Sequence, residues 1–177
     1  RQHGFSVDTF SETERFDQHL EKLSAREGGN PNEYTIAVVG AGLTGIELVT
    51  ELRERLGQNV KLILIDQASS VGQDLGDNLN PVISNALSSC DVDVRLDVRI
   101  SAVTEHTLVL DGGEVVTAEA VVFATGQEAS PLTGEFKTPK DPSGRLQVND
   151  FLHLVQDPSV FVAGDVARAM ADDNHPT

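Results

Sequence analysis

The chain holds a single cysteine, Cys90, and that scarcity excludes an internal disulfide and a CxxC redox pair. A cytosolic setting is therefore expected. Basic residues are also few: 13 Lys and Arg stand against 28 Asp and Glu, for a formal net charge of −15. Nucleic acid is excluded as a partner, because binding it takes clustered cations that displace the counterions condensed on its phosphates. The same acidity disfavours docking of these residues on an anionic membrane. No apolar run approaches the roughly 20 residues that cross a bilayer, since the stretches ending at Ile65 and through Val121 to Ala124 are strand-sized. Signal-peptide pattern, internal repeats and low-complexity tracts are lacking. No Ser/His/Asp set or metal-ligand spacing occurs: His3, His19, His106, His153 and His175 are scattered, and Asp172 and Asp173 beside His175 read as a solvated tail. Cys90 reads as a small apolar residue at the end of a helical face. The chain opens at Arg1 without a methionine and stops at Thr177 in a polar run, and both ends read as cuts in a longer protein.

What is present is an alternation of strand and helix patterns over 177 residues, enough for one core and part of a second. Ser11 and Glu14 have capping-box spacing, and Phe16, Leu20 and Leu23 then recur with a helical period. Gly28 to Pro31 read as a linker. Ile36–Val39 predicts a buried strand, a glycine turn follows, and Ile46, Val49, Leu52 and Leu56 predict a helix. Val60–Ile65 predicts the next strand, which completes a β-α-β unit ending at Asp66. Pro81, with Asn78 or Asn80, opens a helix with Leu79, Val82, Ile83, Ala86 and Leu87 on one face.

Further on, Val92, Val94, Leu96 and Val98 alternate with charged residues as in a strand. Leu108–Leu110 and Glu114–Val116 flank Asp111-Gly112-Gly113 as a hairpin. Ala120–Ala124 returns as an apolar strand. Two more short strands are predicted at Arg145–Val148 and Val160–Ala163. The expected fold is α/β: a Rossmann-like parallel sheet with an antiparallel β insert, in three layers. The expected division is an N-terminal helix and linker over 1–30, a nucleotide-binding domain over 31–130, and a crossover loop with a returning fragment over 131–177.

The chemistry begins at Gly40-Ala41-Gly42-Leu43-Thr44-Gly45, between a predicted strand and a predicted helix. A dinucleotide's pyrophosphate must reach the amides of a helix N-terminus. The first glycine makes the turn, the second removes a Cβ from the phosphate's path, and the third lets helix and strand pack closely. Asp66 ends the following strand, where its carboxylate accepts from both ribose hydroxyls and repels a 2′-phosphate. No arginine follows within Gln67-Ala68-Ser69-Ser70. The pattern predicts NAD(H) over NADP(H).

AVVGAGLTGIELVTEL, VVFATGQEASPL and GRLQVNDFLHLVQDPSVFVAGDVA together resemble the pyridine-nucleotide half of the flavoprotein reductases that carry two dinucleotides. Within this FAD/NAD(P)-dependent pyridine nucleotide-disulfide oxidoreductase superfamily, the type II NADH dehydrogenases are the nearest pattern. The resemblance runs from about His3 to about Ala171. It implies hydride transfer from NADH to FAD and on to an acceptor, usually a quinone.

By the same resemblance, Gly40, Gly42 and Gly45 are the NAD-binding glycines, with Leu43 and Thr44 supplying amides around the pyrophosphate. Glu47 matches an acidic residue near the nicotinamide end, although the helix dipole also favours a glutamate there. Ala124, Thr125 and Gly126 match a strand end that approaches the nucleotide, and Gly164 and Asp165 match a motif whose aspartate binds the flavin's ribityl chain.

No second glycine fingerprint for FAD occurs. The FAD domain is therefore expected in the remainder of the parent, and the chain alone is expected to bind NADH without FAD and to be non-catalytic. Residues from Arg145 onward would pair with that missing domain or with another copy as a homodimer. The parent is expected in the cytoplasm, peripheral on the cytoplasmic face of the membrane. Open alternatives are a disulfide or coenzyme A-disulfide reductase parent, a non-catalytic NADH/NAD-sensing module and, last, a methyltransferase.

Overall fold

The computed structural model describes residues 3–24, 34–76, 78–126 and 129–169, in two compact units that divide after Gly126. The expected linker at Gly28–Pro31 lies outside the described residues. The first unit opens with a short strand, β1 (Phe5–Ser6), and a helix, α1 (Phe10–Ser24). Thr9 sets the helix start: its hydroxyl accepts from the Glu12 amide at 3.3 Å and donates to the Glu12 carboxylate at 2.9 Å. The capping box therefore falls two residues earlier than expected. Ser11 already lies inside the first turn, and Thr9 repeats the Thr/Ser-x-x-Glu spacing where the amides need an acceptor. Phe16, Leu20 and Leu23 are buried at helical spacing.

The β-α-β unit follows as β2 (Tyr34–Val39), α2 (Leu43–Leu56) and β3 (Val60–Ile65). Then come α3 (Asn80–Ser89) and β4 (Val92–Arg95), an antiparallel meander of β5 (Ile100–Val103), β6 (Thr107–Leu110) and β7 (Val115–Thr117), and the returning β8 (Ala120–Phe123). The parallel sheet has the order β1-β8-β2-β3-β4. Alternation along its strands builds both faces. Ile36, Val38, Leu62, Leu64, Ala120 and Val122 pack with Phe16 and Leu20 of α1, Val49 and Leu52 of α2, and Leu87 of α3. The intervening Ala37, Val39, Ile63, Ile65 and Val121 pack with Leu108, Leu110 and Val116 of the meander. Apolar residues on both faces are what a sheet covered on both sides requires. The three layers are helices, parallel sheet and meander.

Several boundaries differ from expectation for physical reasons. The strand read from Val92 through Val98 stops at Arg95, because Asp97 takes a left-handed backbone (φ 56°) that ends the extended run. Along α3 only Leu87 is fully buried; Val82 is 63% exposed and Ala86 is also exposed, so the apolar face is narrower than its period suggests. The N-terminal segment is integral to the first unit, since β1 pairs with β8 and α1 supplies core, and the division falls after residue 126 and not 130.

Arg53, on α2, is buried at 7% exposure. Its guanidinium donates to four carbonyls: Cys90 at 2.7 Å, Gly57 at 2.7 Å, Val60 at 2.9 Å and Asp91 at 3.0 Å. It thereby ties the end of α2 to the start of β3 and the end of α3. Cys90 itself is half-buried against the core at the α3 C-cap.

The second unit has its own small core of Leu146, Val148, Leu154, Val162 and Ala167. Its strands are β9 (Leu146–Gln147), β10 (His153–Leu154), β11 (Asp157–Phe161) and β12 (Ala167–Arg168). The strand expected at Val160–Ala163 begins earlier because Asp157–Phe161 pairs back on β10. Asp141 organises the preceding loop: its carboxylate accepts from the Ser143 amide at 3.0 Å, the Arg145 amide at 2.9 Å and the Arg145 guanidinium at 2.7 Å. Burial pushes the Asp141 carboxyl up, but the hydrogen bonds and charge of Arg145, with the Ser143 amide, outweigh it and hold it below the ordinary carboxylate range.

Arg53→Met leaves four carbonyls short of their donor and lowers unfolding free energy by about 3 kcal/mol in urea titration, with Arg53→Lys intermediate. Because the Asp141 carboxyl is depressed in the folded chain, its stabilisation is present above the unfolded value and fades as pH falls below about 4. Between about pH 5 and 3, stability falls less in Asp141→Asn than in the unaltered chain.

Candidate functional site

The carboxyl ends of four parallel strands converge on one cavity of about 620 Å³. Val39, Gly40, Gly42, Leu43 and Thr44 line it after β2, and Ile65, Asp66 and Gln67 line it after β3. Val98, Arg99 and Ile100 come from the segment after β4, and Ala124, Thr125 and Gly126 from the end of β8. Ligand crevices in open α/β sheets form where strand ends diverge in this way.

The turn from β2 into α2 is held tightly. Gly40 donates to the Ile65 carbonyl at 2.8 Å, and Ala124 donates to the Val39 carbonyl at 2.8 Å. Ala41 is fixed at both polar atoms: its carbonyl accepts from Gly72 at 2.8 Å and its amide donates to the Asp66 carboxylate. The other Asp66 oxygen accepts from the Ala68 amide at 2.8 Å. Each carboxylate oxygen keeps further acceptor capacity.

The three glycines differ in what surrounds them. Gly40 sits at φ 112°, and a Cβ there would run into the Ala124 carbonyl. A Cβ on Gly45 would collide with the Gly40 carbonyl oxygen. At Gly42 a Cβ would meet nothing within 4 Å, and the backbone (φ −75°, ψ −176°) suits any residue. Gly42 is also the N-cap of α2, with no side-chain cap and no acidic residue in the first turn. Among the described residues the amides of Gly42, Leu43 and Thr44 have no acceptor. Unsatisfied amides at the positive end of a helix dipole attract an anion.

Of the residues singled out in the sequence, the fold brings Gly40, Gly42, Leu43, Thr44, Asp66, Ala124, Thr125 and Gly126 to this cavity. Gly45 lies buried beneath it in α2. Glu47 is exposed on α2 and does not line the cavity. Gly164 and Asp165 belong to the second unit, both exposed in a short 3-10 turn with Gly164 at φ 74°. The sequence pattern does not mark Arg99, because alternation extends the preceding strand through Val98. The rule that strand carboxyl ends gather ligands was the signal that points to it. Three of the scattered histidines, His3, His19 and His106, also meet around a second cavity of about 430 Å³. His19 Nε2 lies 3.0 Å from the Glu119 carbonyl, and no cluster with metal-holding capacity occurs among the described residues.

A parallel sheet covered by helices on one face and a meander on the other, with a glycine turn at its strand ends, defines an α/β domain of the FAD/NAD(P)-binding type. The family described as pyridine nucleotide-disulphide oxidoreductase matches residues 1–176, and the chain belongs to it. It is 41% identical over 97% of its length to an NADH dehydrogenase-like protein of Mycobacterium tuberculosis, of which it covers 45%. It is 28% identical over 89% to the type II NADH:quinone oxidoreductase of Haemophilus influenzae, covering 38% of that protein. The chain thus spans less than half the length of these relatives.

Among solved structures, the fold matches reduced Bacillus anthracis CoADR-RHD with TM-score 0.76 at 20% identity, covering 98% of this chain and 30% of that one. It also matches NDH2 from Plasmodium falciparum in complex with NADH, with TM-score 0.68 at 16% identity, covering 94% of this chain and 40% of that one. Among the described residues no helix is long and apolar enough to cross a membrane.

The glycine geometry predicts a split among three variants in thermal unfolding. Gly40→Ala and Gly45→Ala lose several degrees or fail to fold, since backbone must move to admit the methyl group. Gly42→Ala unfolds within about 1 °C of the unaltered chain.

Proposed function

We propose that this chain is the NAD(H)-binding domain of a flavin-dependent NADH dehydrogenase, whose parent passes hydride from NADH to FAD and on to a quinone. The observation that carries the reading is Gly42. Nothing in the fold forbids a side chain there, yet the position is bare, it faces open space, and among the described residues its own amide and those of Leu43 and Thr44 have no acceptor. A bound pyrophosphate supplies the missing reason for glycine.

In this reading the diphosphate rests on the amides of Gly42, Leu43 and Thr44. Asp66 uses its remaining acceptor capacity for the ribose hydroxyls, and its charge disfavours a 2′-phosphate. The backbone of Ala124, Thr125 and Gly126 borders the nicotinamide half, with Glu47 assigned toward that end. Gly164 and Asp165 are assigned to the ribityl chain of FAD, whose domain belongs to the remainder of the parent, as does the quinone-contacting part. When bound, the flavin supplies acceptance of two electrons as hydride. The contribution of this chain is to hold the nicotinamide in place, and no side chain in it is assigned a proton transfer. The chain alone binds nucleotide without turning over. The parent acts at the cytoplasmic face of a membrane, the setting that the resemblance to the type II NADH dehydrogenases implies.

Fluorescence titration of the purified chain tests this. NADH binds at least about tenfold more tightly than NADPH, FAD does not co-purify, and Gly42→Ala keeps its fold while losing about tenfold or more in NADH affinity. Equal NADH binding by a folded Gly42→Ala chain contradicts the reading.

A further inference from the structure

The end of the cavity that holds Asp66 also carries a cation. Arg99 lines the same wall, on a segment tied to Asp66 by the Val98 amide, which donates to the Asp66 carbonyl at 3.0 Å. In a chain with more than twice as many acidic as basic residues, an arginine facing a cavity would be expected to find a carboxylate. Arg99 has none: its side chain is exposed and makes no hydrogen bond or ion pair among the described residues. Asp66 does not pair with it: in the fold its carboxylate is held by the backbone amides of Ala41 and Ala68 instead. The carboxylate is fixed to the turn, and the guanidinium is left available.

We propose that Arg99 makes this cavity a latent 2′-phosphate site, so that preference for NADH over NADPH rests on Asp66 alone. This inference rests on the reading of the cavity as an NAD(H) site and deepens it. A guanidinium presents a planar fork of donors that matches a phosphate's oxygens and keeps its charge at any relevant pH. The 2′-phosphate of NADPH replaces one of the hydroxyls assigned to Asp66, so the phosphate would arrive between a fixed negative charge and an unpaired positive one. With the negative charge removed, the attraction remains. The ligand class is a 2′-phosphorylated adenine dinucleotide. The specificity residues are Asp66 as the excluding group and Arg99 as the accepting one.

The test measures dissociation constants for NADH and NADPH, each at low and high salt, in the unaltered chain, R99Q, D66N, D66N/R99Q and R55Q. The readout is the ratio of the two affinities within each variant, so that loosening of the turn, which weakens both nucleotides, cancels. Asn keeps the size of Asp66 and one acceptor oxygen while losing the charge. R55Q removes the same charge from an exposed residue paired with Asp17 outside the cavity.

D66N is expected to shift the ratio toward NADPH by about tenfold or more, and R99Q to shift it back by about tenfold in either background, while R55Q leaves it unchanged. NADPH binding to D66N is expected to fall more steeply with salt than NADH binding, and the added slope to vanish in D66N/R99Q. The proposal is overturned if D66N and D66N/R99Q share one ratio. It is overturned equally if R99Q weakens both nucleotides alike, which would make Arg99 a platform for the adenine ring. If the unaltered chain binds neither nucleotide, the reading of the cavity falls as well. Binding of NADH without an Arg99-dependent ratio leaves that reading standing and removes this one.

Discussion

The cavity exists because stretches of main chain approach one another more closely than a methyl group permits. Gly40 lies against the Ala124 carbonyl at the end of β8, and Gly45 lies against the Gly40 carbonyl at the start of α2. These two contacts bring the first turn of α2 down onto the strand ends, so that its unsatisfied amides open into the cavity and not onto bulk surface. Ala41 is then fixed from both sides by Gly72 and Asp66. Everything assigned to the site depends on this packing of backbone against backbone.

Asp66 serves that packing as well as recognition. Its carboxylate closes the turn through Ala41 and its own loop through Ala68, and the same group faces the cavity. A change of charge there acts on two properties at once, the shape of the turn and the preference between nucleotides. At the opposite end of α2, Arg53 performs a purely structural task, gathering four carbonyls from three segments. A buried guanidinium needs full hydrogen bonding to offset its desolvation, and carbonyls at helix ends supply it without a carboxylate. The helix that presents its amides is therefore pinned at both termini.

Much of this was legible in the residues. The β-α-β unit, the glycine turn and the acidic strand end follow from local pattern, because apolar runs of strand length and a glycine triplet leave few alternatives. What local pattern does not carry is where the chain bends out of a run. Asp97 in a left-handed conformation ends β4 early and sends Val98, Arg99 and Ile100 to the cavity, although alternation alone extended the strand through Val98. Thr9 and Ser11 present the same capping spacing, and tertiary burial of Phe16, Leu20 and Leu23 fits either. Only the hydrogen bonds of Glu12 decide the register. The membership of β1 and α1 in the first unit is likewise a matter of long-range pairing with β8, which no local window contains. His3, His19 and His106 meet around one cavity for the same reason.

The central claim is that a nucleotide diphosphate lies on the bare amides at the start of α2. An amide-resolved NMR titration of the chain with NADH tests it most directly. The largest shift changes are expected at Gly42, Leu43 and Thr44, with smaller ones at Ala68 and at Ala124 through Gly126. Saturable NADH binding that leaves the Gly42, Leu43 and Thr44 signals in place would contradict it.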